Sequence, residues 1–482
     1  MVDRSAGTPR TAGRSLRCPD SEFCSPPLLR FPTSCRKASR KTFEALLRLG
    51  ITQCVLVGVL QATALAAGFA ITAQSPAASG KSSAFTAQAD DPSALYFNPA
   101  GISQLSTTQA FLGTSIIVPG MTYHADPGGR DSKQNSQMFF LPQFYLSHPF
   151  SRRVTGGLGV FTPFGVATDW PKDWDGRFQV THASIQATVV NPTVAWKPAP
   201  WVSVAGGVDI AYVMFELERG INWSKIEETS GTGGPLPGNP EGTVLLRGST
   251  TATGFHSGVL ITPSDLWAMG LSFRSRLHAE IKDGSADFSA PPSTLFPPLQ
   301  GAFPDGRIRT EIDLPPSVRT GLLVRPAANW NVEFDAVWTG WSSVDELVVD
   351  FKEGLPVSRE PTPFSWQDSM AYSLGTEYRW SPWILRAGYT YDLAPIPDDT
   401  LNPILADGDR QWFSTGVGYR RGNWRFDLAY QYILFSRSKQ NEFGEAGSSV
   451  GTPPAIPSID ARANGTYSSR VSVFGLGASL QF

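Results

Sequence analysis

The carboxyl-terminal segment from Arg470 to Phe482 alternates without a break. Phe474, Leu476, Ala478, Leu480 and Phe482 fall on one face, and Val471, Val473, Gly475, Gly477, Ser479 and Gln481 on the other. Period two is the mark of a strand. A strand that carries aromatic and aliphatic side chains on one face and small or polar ones on the other suits a transmembrane barrel, where one face meets lipid and the other the lumen. An apolar terminal strand ending in Phe also resembles the signal read by the outer-membrane barrel assembly machinery.

The same alternation recurs along the chain. Trp267, Met269, Leu271 and Phe273 alternate with Ala268, Gly270, Ser272 and Arg274; Tyr372, Leu374, Thr376 and Tyr378 with Ser373, Gly375, Glu377 and Arg379; Trp424, Phe426 and Leu428 with Arg425, Asp427 and Ala429. A soluble sandwich would alternate too, so two further features decide. Trp196, Trp201, Trp267, Trp330, Trp380, Trp383 and Trp424 sit at strand ends beside tight turns, where an amphipathic ring suits a membrane interface. Connections also alternate between short and long. The pattern predicts about fourteen strands, near 108–119, 136–148, 153–165, 184–197, 201–220, 242–262, 266–283, 306–325, 330–351, 369–380, 383–394, 410–421, 423–437 and 465–482. The expected fold is all-β, a transmembrane antiparallel β-barrel over 108–482 with both termini periplasmic.

The beginning of the chain gives the same address. A basic cluster, Arg36, Lys37, Arg40 and Lys41, precedes an apolar run from Ile51 to Leu65, and Ala64-Leu65-Ala66 offers small residues for a signal peptidase. The run is too short and too diluted to span about 30 Å of hydrocarbon. Residues 1–66 are therefore read as a leader removed by cleavage after Ala66. All four cysteines, Cys18, Cys24, Cys35 and Cys54, lie in that leader, which leaves a thiol-free chain suited to an oxidising compartment. The residues after 66 hold 30 Lys and Arg against 38 Asp and Glu, a net charge of −8 that disfavours a nucleic-acid partner.

Residues 67–107 alternate little, and contain Asp90-Asp91 and Asn98-Pro99-Ala100. Together with Ala67-Gly68-Phe69, Gly157 to Gly165, Trp170, Trp174, Gly176-Arg177, Asn191-Pro192, Trp338 to Trp341, Trp366-Gln367-Asp368, Leu385 to Tyr389 and Pro395 to Asp398, these segments follow a known order. The chain resembles the FadL/TodX-like outer-membrane transporters of long-chain fatty acids and other hydrophobic compounds. The resemblance implies an amino-terminal hatch over 67–107 that plugs the lumen, with Asn98, Pro99 and Ala100 as its gate. It also implies lateral release through a kinked third strand, where Gly156, Gly157, Gly159 and Pro163 fall. The alternative is that these glycines only mark tight lumenal space, where glycine is common in barrel strands. Cargo would be hydrophobic small molecules moving by passive diffusion; an aromatic or alkane hydrocarbon channel is the alternative, ahead of a general porin or an outer-membrane phospholipase.

Alternation turns Arg274, Arg319, Glu333, Asp335, Glu377, Arg379, Arg386, Arg425 and Asp427 inward. Mixed signs in a confined space point to ion pairing, with Arg319, Arg379 and Arg386 as candidates for a substrate carboxylate. Apolar loop residues Phe288, Phe296 and Phe303 are candidates for an outer docking surface. The five histidines show neither metal spacing nor a nucleophile pattern, so no cofactor, metal or catalytic residue is expected. Asp407-Gly408-Asp409 is short enough to be an ordinary turn rather than a calcium loop. The expected protein is a monomer in outer-membrane lipid.

Overall fold

The computed structural model describes residues 68–126, 129–222, 241–289, 304–352, 359–398, 400–439, 463 and 465–482. The leader, its cleavage after Ala66, and the docking candidates Phe296 and Phe303 lie outside the described residues.

Fourteen antiparallel strands form one closed sheet. They are β1 (Gln109–Ala125), β2 (Phe139–Pro149), β3 (Val154–Asp169), β4 (His182–Ala199), β5 (Val202–Asn222) and β6 (Glu241–Ile261). Next come β7 (Trp267–Arg274 and Leu277–Ser289), β8 (Gly306–Leu314 and Ser317–Ala327), β9 (Trp330–Thr339 and Glu346–Lys352) and β10 (Arg359–Pro363 and Ser369–Trp380). The last are β11 (Trp383–Asp392), β12 (Arg410–Arg421), β13 (Trp424–Lys439) and β14 (Gly465–Gln481). The circle closes where β14 pairs with β1, from Gln109 opposite Gln481 to Ala125 opposite Gly465. Closure leaves no edge strand at the seam.

The expected alternation is realised in space. Leu271, Leu322, Phe334, Leu374, Leu385, Phe413, Leu428, Phe474 and Leu476 point outward and are exposed, a surface that only lipid covers favourably. Trp196, Trp201, Trp330, Trp380, Trp383 and Trp424 are exposed at the strand ends next to the short turns. The partners of these rows face a filled lumen.

The structure departs from the expected strand map in one region. Strands anticipated as continuous over 266–283, 306–325 and 330–351 are broken at 275–276, 315–316 and 340–345, and a segment expected to be loop, Arg359–Pro363, continues β10 beyond its own break. Pro315-Pro316 supplies no backbone donor, and Trp341–Ser343 turns as a 3-10 helix that carries the Trp341 ring inward.

Residues 68–105 lie within the lumen. Two short helices, α1 (Pro76–Ser79) and α2 (Ala94–Phe97), and a 3-10 helix at Pro99–Gln104 are joined by turns, and most of their side chains are buried. Small residues make this possible: a plug of Ala, Ser and Gly packs against a wall whose own inner face is small.

Candidate functional site in the barrel lumen

The wall holds the hatch through carboxylates aimed at backbone amides. Glu333 and Asp335 are two apart on β9 and so share the inner face. Asp335 Oδ2 accepts the amides of Phe85 and Thr86, both at 3.0 Å, and Glu333 Oε1 accepts those of Ala87 at 2.5 Å and Gln88 at 3.2 Å. Lys81 Nζ lies 3.5 Å from Glu333 and donates to Gln88 Oε1 at 2.7 Å. A second set of contacts runs through the acidic pair of the hatch. Arg379 pairs with Asp90 at 2.8 Å, and Arg425 with Asp91 at 2.6 Å. Arg386, directly opposite Glu377 in the ladder, bonds Glu377 and Asp427 at 2.8 Å each. The inward charges thus form a network of alternating sign, which offsets the cost of burying them.

Glycines let the hatch backbone touch the sheet. Gly270 and Gly321 face each other on β7 and β8, and a methyl on Gly270 would overlap the Thr86 carbonyl. Gly375 and Gly388, also opposite each other, leave room for Lys81.

Asn98 joins hatch and wall. It caps the 3-10 helix by accepting from the Ala100 amide at 3.2 Å, while its amide nitrogen donates to Thr86 O at 2.9 Å inside the hatch and to Val259 O at 3.0 Å on β6. Pro99 opens the helix, where a missing N–H is harmless, and Ala100 is fully buried. The three residues of the expected gate are therefore brought together with the wall.

β3 leaves its neighbour part-way along. Its pairing with β2 runs from Thr155 to Val160 and stops, whereas β2 residues Phe139–Gln143 have ladder partners on β1 alone. Two residues, Thr162 and Pro163, then stand opposite one on β4, a bulge that bends the strand. The hatch takes the vacated place: Ile71 N donates to Pro163 O at 2.7 Å, Gly165 N to Phe69 O at 2.8 Å, and the Gln74 side chain to Thr162 O at 2.5 Å. Pro163 lies at the bend. Gly156, Gly157 and Gly159 lie in the paired stretch before it, where Gly157 makes room for Leu95 of the hatch.

An aromatic cluster divides the lumen. Phe69 contacts Trp341 at 4.9 Å, Trp366 at 5.7 Å and Phe164 at 5.9 Å between ring centroids. On one side lies a cavity of about 570 Å³ lined by Val166, Ile185, Leu217, Leu347, Phe69 and Trp366. On the other, a cavity of about 60 Å³ is lined by Tyr96, Pro163, Phe164, Arg274, Arg319 and Trp412. Asp407 accepts the Gly68 amide at 2.8 Å beside the cluster and pairs with Arg410. Burial pushes the Asp407 carboxyl above its ordinary value, with Arg410 and the Gly68 amide pulling the other way. Asp409 is engaged elsewhere, with Tyr391 Oη and the Ala394 amide at 3.0 Å each.

Arg319 reaches the smaller cavity, donates to Tyr96 Oη at 2.9 Å and stacks over that ring. Arg379 and Arg386 are committed to carboxylates of the hatch and wall. Phe288 is half-buried near the long-loop end of β7, its amide donating to Asp305 at 2.7 Å. Arg274 stacks over Tyr96 and Phe161, bonds Asp209 at 2.8 Å, and keeps a second guanidinium nitrogen, Nη2, buried with no hydrogen-bond partner among the described residues. Sequence reasoning placed Arg274 inward but did not single it out. The aromatic divider was missed altogether, because residues 69, 164, 341 and 366 meet only once the barrel closes.

The comparisons agree with this geometry. Residues 57–482 match the family model of outer membrane protein transport proteins (OMPP1/FadL/TodX). A long-chain fatty acid transport protein of Escherichia coli is 24% identical over 76% of this chain and 86% of its own length. A Pseudomonas aeruginosa FadL homologue superposes with a TM-score of 0.73 at 21% identity, over 86% of this chain and all of that one. The CymD monoaromatic hydrocarbon channel superposes with a TM-score of 0.63 at 18% identity, over 86% and 99%. With fourteen strands, a filled lumen and a match over nearly its whole length, the chain belongs to the OMPP1/FadL/TodX family of outer-membrane transport proteins.

Proposed function

We propose that this barrel carries long-chain fatty acids or other hydrophobic compounds inward by passive diffusion, with release sideways into the membrane between β2 and β3. One observation carries the reading: beyond Val160 the two strands are unpaired, and that part of the wall is completed by hatch residues 69–74. Displacing this six-residue segment opens the gap. Drawing the whole hatch out would break the carboxylate contacts of Glu333 and Asp335 and the pairs of Asp90 and Asp91 together.

In this reading cargo collects in the larger cavity, passes the aromatic divider when Phe69 moves, and enters the smaller cavity beside the bulge. Arg274 Nη2 and Arg319 would receive an anionic head there, since a buried guanidinium nitrogen without a partner gains from a carboxylate. Arg379 and Arg386 instead hold the hatch. The two arginines favour a fatty acid, whereas the aromatic divider alone would suit a neutral hydrocarbon, which is the second reading. The chain acts as a transporter rather than an enzyme, as a monomer placed in the membrane by the barrel assembly machinery.

The test is deletion of Pro163, which removes the extra residue of the bulge and restores one-to-one pairing with β4. Uptake of a labelled long-chain fatty acid is expected to collapse while the barrel stays heat-modifiable. Unchanged uptake in a folded deletion variant would refute lateral release. Parallel uptake of toluene separates the two cargo readings.

A further inference from the structure

We infer that the wall has a second opening, between β8 and β9, through which hydrophobic molecules dissolved in the outer leaflet enter the larger cavity. The inference rests on the transport reading above and names where cargo is admitted. The ladder shows the break. β8 and β9 pair from Arg307 opposite Lys352 to Thr310 opposite Val349, and again from Ser317 opposite Thr339. Between these stretches one backbone bond crosses, from Gly340 N to Pro316 O at 2.9 Å, and residues 311–315 of β8 have no ladder partner on β9. Glu311 to Leu314 remain bonded to β7, and Glu346 to Val348 remain bonded to β10, so each edge is held back by its outer neighbour. Asp345 O likewise accepts the Phe364 and Ser365 amides, both at 2.7 Å, from the β10 side.

The local sequence accounts for the separation. Pro315 and Pro316 have no amide to offer across the gap, and the 3-10 turn at Trp341–Ser343 leaves the sheet to deliver Trp341 to the aromatic divider. The larger cavity reaches both edges, with Ile312 and Asp313 on one side and Ser343, Val344 and Leu347 on the other.

Height in the membrane follows from the outward faces. On one side of the breaks Leu271, Leu322, Phe334 and Leu374 are exposed to lipid. On the other, the outward residues are charged and paired among themselves: Arg276 with Asp313 at 3.3 Å, Arg309 with Glu311 at 2.8 Å, Arg359 with Asp350 at 3.8 Å. The gap therefore sits at headgroup level. Unpaired strand edges are costly in hydrocarbon and are tolerated where water and headgroups reach them. Because Ile312, Leu314, Val344 and Leu347 behind the charged rim are apolar, the opening admits an apolar molecule, or a fatty acid tail first with its head group following.

No cysteine lies after Cys54, so single thiols can be placed cleanly. The experiment uses Ser343→Cys and Glu311→Cys, one on each edge, with Arg247→Cys, exposed on the outer face of β6 and away from the cavity lining, as control. Each is expressed in cells lacking another transporter of this kind and labelled with a bulky fluorescein maleimide. A pyrene-labelled fatty acid is then supplied either from lipid vesicles fused to the outer membrane or from cyclodextrin in the medium. Labelling at residue 343 or 311 should slow uptake from lipid several-fold and leave uptake from cyclodextrin unchanged, while the residue 247 label alters neither. Equal slowing of both deliveries, slowing of neither, or failure of both edge thiols to label in heat-modifiable barrels would overturn the second opening. Absence of uptake by the unlabelled parent barrel would instead refute the transport reading on which it stands.

Discussion

Arg425 on β13 holds the carboxylate of Asp91 at 2.6 Å while Asp427, two residues along the same strand, braces the guanidinium at 2.7 Å. The hatch is thereby tied to the strands nearest the barrel seam by a pair removed from water. Asp91→Ala leaves a buried guanidinium with one partner of its two, a loss of about 3 kcal/mol by analogy with other broken buried pairs. Assembly should survive, because strand pairing is untouched. The expected outcome is a lower thermal midpoint and a raised single-channel conductance in planar bilayers, and a variant as electrically silent as the parent would show that the hatch is held elsewhere.

Gly270 tests the close approach of hatch and sheet without removing any polar contact. A methyl at this position would overlap the Thr86 carbonyl, which belongs to backbone fixed by Asp335 and cannot yield cheaply. Gly270→Ala is expected to cost about 2 kcal/mol and to shift the hatch at 85–88. Protease accessibility of the hatch in the folded barrel measures the shift; full protection would refute the steric argument.

Strand number and inward-outward facing were legible because alternation is forced on every lipid-facing segment, and Trp201, Trp330, Trp383 and Trp424 mark the short-turn ends by the same physics. The breaks in β7 to β10 were not. Apolar residues keep one parity through Pro315-Pro316, as Ile312, Leu314, Val318 and Leu322 do, so periodicity reads one strand, although that parity faces inward before the break and outward after it. The inward charges were legible one by one, but not their partners. That Arg386 meets Glu377 follows from register, and that Arg425 meets Asp91 follows from where a separate segment lies in the lumen. Phe69, Trp341 and Trp366 carry no signal in their spacing at all.

The chain terminus is engaged at both sides. β14 pairs with β1 and β13 along its length, and the Phe482 amide donates to Thr108 O at 2.9 Å. In the finished barrel this is one hydrogen bond, worth about 1 kcal/mol. Deleting Phe482 should therefore reduce the amount of barrel that reaches the membrane far more than it lowers the thermal midpoint of the barrel that does. Heat-modifiable protein in outer-membrane fractions measures the first quantity and unfolding of the purified variant the second. Wild-type membrane levels would remove the residue from any role in assembly.

Asn98 is the sharpest test of the hatch as a gate. Its amide group accepts from Ala100 and donates to Thr86 O and Val259 O, so one side chain caps a helix, closes a turn and fastens both to β6. Asn98→Ala removes all three bonds in a place where water cannot replace them, at about 1 kcal/mol for the cap and a similar amount for each carbonyl left alone. None of the lost bonds belongs to the strand ladder, so yield and heat modifiability should match the parent. The freed segment from Pro99 to Gln104 packs beside Leu95, which rests against Gly157 of β3, so loosening it reaches the bent strand. Slower uptake of a labelled fatty acid, with a small rise in ion conductance, is the expected result. Asn98→Asp separates capping from donating, because a carboxylate still accepts from Ala100 yet has no hydrogen for Thr86 O or Val259 O. If uptake falls in the alanine variant and is restored by aspartate, the cap governs the gate; if it falls in both, the donor bonds to Thr86 O and to β6 do. Wild-type uptake and conductance in both variants would leave residues 98–100 as a turn leading into β1.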